Sequence, residues 1–158
     1  MQWMATIEAS GFATWVRESS SIWAYPTILT LHTVGLGLLV GANVALDLRL
    51  LGAGAAIPLG PLQRLFPAMW IGFWLNAITG VMLFAAEATT KGSTTIFIFK
   101  LGLVAVAVAV MKLTEQSVYG RGRHAAVVTG TAKALAALSV VLWIAAIATG
   151  RFMAYAAA

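Results

Sequence analysis

The chain has no cysteine. That removes disulfides, thiolate metal sites and iron–sulfur clusters, so any redox chemistry would need a bound cofactor. Charge is scarce too: only 9% of the 158 residues are Asp, Glu, Lys or Arg, against about 25% in an ordinary soluble domain. Acidic residues number five. No paired-carboxylate constellation, Ser-His-Asp order or phosphate-binding glycine loop stands in a suitable context, so hydrolase chemistry has no positive support. The start of the chain lacks the basic segment, apolar run and small-residue cleavage site of a secretory signal. The first apolar segment is therefore expected to act as its own insertion signal.

What fills the chain instead is apolar: 61% of its residues are hydrophobic and the mean hydropathy is +0.91. Four runs stand out, at about 22–46, 65–86, 95–111 and 134–148. Each approaches the roughly 20 residues that a helix needs to cross a bilayer. The third and fourth are short by strict count, but Lys112 and Lys133 can snorkel to the interface. The expected fold is all-α: an integral membrane four-helix bundle over residues 22–158, preceded by an interfacial arm over 1–21. In that arm Trp3, Met4, Ile7, Phe12, Trp15 and Val16 recur at roughly helical spacing, predicting an amphipathic helix at the membrane surface.

Basic residues set the expected orientation. The first and third loops share one face and carry Arg49, Arg64, Lys112, Arg121, Arg123 and Lys133. The other face has Arg17, Lys91 and Arg151, offset by Glu8, Glu18 and Glu87. Basic loops are retained in the cytoplasm, which predicts a multi-pass protein of a bacterial inner membrane with both termini outside. The net charge of +5 is split between loops that face anionic headgroups, so the lipid bilayer is the expected partner and nucleic acid is not. A redox partner or quinone, and a second copy of the chain, complete the candidate partners.

Inside this apolar frame a few polar residues are out of place. His32 falls within the first span and Lys100 within the third, and an ionisable group at that depth is expensive. An eleven-residue separation returns almost to the starting angle of a helix, so His32, Leu39 and Asn43 share one side. The same arithmetic aligns Gly72, Asn76, Thr79, Gly80 and Glu87 along the second span. That stripe is expected to face the interior, where Asn76 and Thr79 find partners that lipid does not offer. Gly37 and Gly41 form a small-xxx-small pair, read as a close helix–helix contact. His32, Glu87 and Lys100 are expected to converge near the outer leaflet, while Ala-rich span four, with Ser139, Trp143 and Thr149, closes the bundle.

Three uses compete for His32 and Lys100. One is a purely structural polar core, with Lys100 pairing with Glu87 or snorkelling outward. Another is axial ligation of haem by the imidazole. The last is a metal path using His32 and the thioethers of Met69, Met82 and Met153, residues better explained by core packing. His124, in the basic sequence GRGRH, is expected on the opposite side and in solvent, which disfavours bis-histidine ligation with His32.

The stretches YPTILTLHTVGLGLLVGANVALDLRLLG, GFWLNAITGVMLF and IFIFKLGLVAVAVAVM resemble a bacterial family of unknown function with four membrane helices, over nearly the whole chain. More distantly, the arrangement is similar to that of HemJ-type protoporphyrinogen oxidases and CopD-type copper resistance proteins. The resemblance to HemJ-type enzymes implies a haem b site in which His32, Arg49 and Lys100 take the places of that family's His, Arg and Lys, with electron transfer or porphyrin or quinol oxidation as the activity. The resemblance to CopD-type proteins implies copper or small-solute transport; a noncatalytic membrane subunit is the remaining alternative. Arg49 closely follows Asp47, with which it is expected to pair.

Overall fold

The computed structural model describes residues 2–120 and 128–156, with side chains to Met153. The described residues form eight helices and no strand. In chain order these are α1 (Gln2–Glu8), α2 (Gly11–Glu18), α3 (Tyr25–Leu51), α4 (Leu59–Leu62), α5 (Leu65–Ala86), α6 (Ala88–Gly92), α7 (Thr95–Tyr119) and α8 (Gly130–Ala156). Four helical segments, Tyr25–Leu51, Leu59–Ala86, Thr95–Tyr119 and Gly130–Met153, are long and apolar enough to cross a membrane. The chain is a multi-pass membrane protein built as an all-α bundle.

The helices outrun the apolar runs that announce them. α3 continues through Arg49, and α7 through Lys112 and Glu115, because a helix keeps its internal hydrogen bonds in the headgroup region, where charged side chains reach water. α3 opens with Pro26 in its first turn, where the missing amide costs little. It stops at Gly52, whose φ of 113° lets the amides of Gly52 and Ala53 fold back onto the carbonyls of Arg49 and Leu48. Arg49 reinforces that stop by donating to the carbonyls of Ile57 at 2.6 Å and Ala55 at 2.9 Å.

α3 and α5 form one antiparallel pair and α7 and α8 another, and α3 also packs on α8. The first pair approaches backbone to backbone. A Cβ built on Gly72 would lie 2.6 Å from the amide nitrogen of Leu39, and one on Gly35 would lie 2.8 Å from that of Asn76. The glycines that make the contact are therefore Gly35 and Gly72. Gly37 and Gly41 are exposed and have nothing within 4 Å of a built Cβ. The contact expected of that pair is not made, since both glycines look away from the face that carries Gly35, Leu39 and Asn43. α5 and α7 meet through side chains instead: Phe84 stacks on Phe97 at 4.9 Å, and Phe66 meets Tyr119 edge-on at 5.8 Å. Lys112 lies over Trp70 at 5.4 Å.

The arm is two helices rather than one, broken where Ser10 caps α2 by accepting from the amide of Ala13. It docks across one end of the bundle. Glu8 accepts from the amide and the hydroxyl of Thr89, and Arg17 donates to the carbonyl of Ala86 at 3.1 Å. The Thr89 hydrogen bonds hold the Glu8 carboxyl below the usual carboxylate range, with the Arg17 charge adding to them. Ala13 and Val16 are fully buried beneath, while Trp3, Phe12, Trp15 and Trp23 stay exposed. This arm end is one pole of the molecule. The basic-loop end, marked by Gly52 and Tyr119, is the other.

Apolar packing divides along the bundle axis. The larger cluster includes Leu39, Leu46, Phe66, Met69, Met111 and Trp143, from mid-bundle to the basic-loop end. A smaller one of Val16, Ile28 and Ala86, with Met82 packed on it, sits under the arm. The first candidate site lies in the band between them.

Candidate functional site

His32 reaches from α3 to α5. Its Nδ1 lies 3.0 Å from the carbonyl of Asn76 and 3.0 Å from Oγ1 of Thr79. The Thr79 hydroxyl donates to the carbonyl of Leu75 at 2.6 Å, so toward His32 it accepts. With two acceptors facing it, Nδ1 carries the proton and the lone pair resides on Nε2. Asn76 completes the lock by donating from Nδ2 to the His32 carbonyl at 2.8 Å, and the same nitrogen stands 3.4 Å from Nε2. That long contact leaves the Nε2 lone pair weakly engaged.

The remaining spans shape the surroundings. Gly80 of α5 faces the imidazole: a Cβ there would lie 3.2 Å from Cε1 of His32. Lys100 of α7 lies across α8 at Gly150, where a Cβ would come within 3.3 Å of Nζ. Lys100 is half-buried and forms no ion pair among the described residues. A neutral imidazole with a fixed tautomer and a cation without a carboxylate thus share the arm-end interior.

Two residues expected at this site lie elsewhere. Arg49 is about 25 Å from His32 along the axis of α3, spent on the loop carbonyls of Ala55 and Ile57 rather than on a site or on Asp47. Glu87 ends α5 and pairs with Lys91 one turn on, so it neither meets Lys100 nor joins the interior stripe. Met69 and Met82 belong to the two apolar clusters. His124, Arg121 and Arg123 lie outside the described residues.

A second polar cluster includes Asn43, which the sequence places in the polar interior with Asn76, Thr79 and Glu87, and adds Asp47 and Ser139, which the sequence does not place there. Asn43, Asp47 and Ser139 are each no more than 2% exposed. Asn43 donates from Nδ2 to Oδ2 of Asp47 at 2.6 Å and to Oγ of Ser139 at 2.6 Å, so one amide joins the three side chains. The spacing of Asn43 and Asp47, one helical turn apart, was the available signal. One turn along α8 from Ser139, Trp143 is the one buried side-chain donor among the described residues whose N–H meets no acceptor.

The donor set bears on what the arm-end site can hold. No group of three or more His, Asp or Glu side chains gathers among the described residues, and a bare transition metal needs about that many protein ligands. A porphyrin brings four nitrogens of its own, so one axial imidazole is enough. Ligating histidines commonly donate their other ring N–H to a carbonyl, as Nδ1 does here. The chain was also compared with protein families, with curated proteins and with solved structures, and none matches.

Proposed function

We propose that the bundle binds haem b at its arm end and serves in electron transfer, with a porphyrin or quinol as the class of electron donor. The observation that carries this reading is the His32 Nδ1 hydrogen bond to the Asn76 carbonyl, which turns Nε2 into a ligand. In this reading His32 holds the iron and the Lys100 ammonium pairs with a propionate. Gly80 and Gly150 let the His32 and Lys100 side chains lie close against α5 and α8, where a larger residue would displace them. Bound haem would supply a reversible one-electron couple, in a chain whose lack of cysteine already excludes thiol–disulfide chemistry.

The experiment is the visible spectrum of the purified protein, before and after haem is added to the membranes that produce it. A Soret band is expected, lost in His32→Ala and shifted in Lys100→Met, which keeps length but deletes the amine. A folded protein that stays colourless with haem supplied overturns the reading. That outcome would favour a noncatalytic membrane subunit, a reading supported by the way His32, Asn76 and Thr79 already tie α3 to α5.

The bundle is also proposed to lie in a bacterial inner membrane with the arm end outside. Arg49, Arg64, Lys112 and Lys133 belong to the opposite end, and such a bias resists translocation. Single cysteines at Ser93 and at Ala56, introduced into this cysteine-free chain, read the orientation with an impermeant thiol reagent. Ser93→Cys is expected to label in intact cells and Ala56→Cys only after permeabilisation; the reverse pattern would invert the molecule.

A further inference from the structure

We propose that Asp47 is an intramembrane proton-binding site, holding one proton at neutral pH in a cradle made by Asn43 and Ser139 and exchanging it at the basic-loop end. The site is separate from His32, about 22 Å away along α3, and does not depend on haem.

The argument begins with charge. Asp47 is 1% exposed within a membrane-spanning helix, and an ionised carboxylate there is costly unless something neutralises it. No cation among the described residues does so. On α3 itself, Arg49 is held by the carbonyls of Ala55 and Ile57. From α8 the group beside this cluster is Ser139, bonded to Asn43, while Lys133 is exposed. On α7, Lys112 rests on Trp70, the Tyr119 hydroxyl donates to the Leu59 carbonyl, and Glu115 is half-buried and of the same sign. Arg64, at the start of α5, is exposed. Among the described residues, the side-chain hydrogen bond that reaches the Asp47 carboxyl comes from Asn43, which is uncharged.

The ligand class follows from the same contacts. A sodium ion wants five or six oxygens turned toward it, but Asn43 turns its N–H groups on Asp47 and Ser139, and those hydrogens repel a metal cation. A proton needs no cage. With Asn43 occupying Oδ2, the proton binds Oδ1: an O–H bond of hydronium breaks as the Oδ1–H bond forms, leaving water, and release runs the same exchange in reverse. Position supplies the route, since Asp47 lies one turn from the end of α3.

Asp47 is the only aspartate in the chain, so cell-free synthesis with carboxyl-13C aspartate labels one carboxyl without any substitution. Isotope-edited infrared spectra of the full chain in lipid nanodiscs are expected to show the carbonyl stretch of a protonated acid at neutral pH. The carboxylate pair of bands should replace it only in alkaline buffer, equally with sodium or choline as the cation. Carboxylate bands at neutral pH in choline buffer would overturn the proposal. An acid band that sodium converts to carboxylate would overturn it in favour of a metal cation.

Discussion

Gly72→Val is expected to force α3 and α5 apart and to destabilise the bundle by about 3 kcal/mol or more, beyond what a crowded side-chain core normally costs. The added Cβ would begin 2.6 Å from the Leu39 amide nitrogen and 2.8 Å from the Gly35 carbonyl. Both obstacles are backbone, so no rotamer change relieves them. Gly37→Ala and Gly41→Ala provide the contrast. Each places its methyl in open space and gains the roughly 0.5–1 kcal/mol by which alanine outranks glycine in a helix. Unfolding in mixed detergent, followed by circular dichroism, ranks the three variants. A Gly72→Val protein as stable as the parent would show that the two helices do not cross where Gly35 and Gly72 meet.

The second large effect is expected from Asn43→Leu. That one amide serves Asp47 and Ser139 together, and leaving a buried polar group without its partner costs about 1–3 kcal/mol. The share belonging to Ser139 is modest, because interhelical hydrogen bonds in a bilayer average about 0.6 kcal/mol. Most of an expected loss near 2 kcal/mol therefore falls on Asp47. Asn43→Leu combined with Asp47→Leu should recover the greater part, since the group left stranded is gone. A double-mutant cycle measures this coupling directly; simple additivity of the two substitutions would mean that Asn43 and Asp47 do not act as a pair.

Much of the fold can be read from the sequence, because hydropathy runs of this length admit few structures. Helical periodicity also reaches some way into the interior. The spacing that groups His32, Leu39 and Asn43 picks out the face of α3 on which Gly35, Leu39, Asn43, Leu46, Asp47 and Leu50 are buried. The glycine motif misleads for a physical reason. A spacing of four says that Gly37 and Gly41 align with each other, but not which way they look. Gly35, three residues after His32 and four before Leu39, carries the orientation that the motif lacks. Arg49 and Glu87 escape sequence reasoning because their partners are set by how the chain turns: loop carbonyls for one, the next turn of helix for the other. Ser139 sits in an alanine-rich run, and only the pairing of α3 with α8 gives it a role.

The division of the bundle into two antiparallel pairs makes the molecule severable. α3 and α5 are clasped through glycine backbone, α7 and α8 pack on each other, and the short α6 segment is the covalent joint between the pairs. Each half presents its mate with ready-made fittings: Asn43 for Ser139, and Phe84 and Phe66 for Phe97 and Tyr119. Translation can therefore deliver the protein to the membrane as two successive hairpins. A chain nicked near Ser93 retains in each piece what that piece needs to find the other.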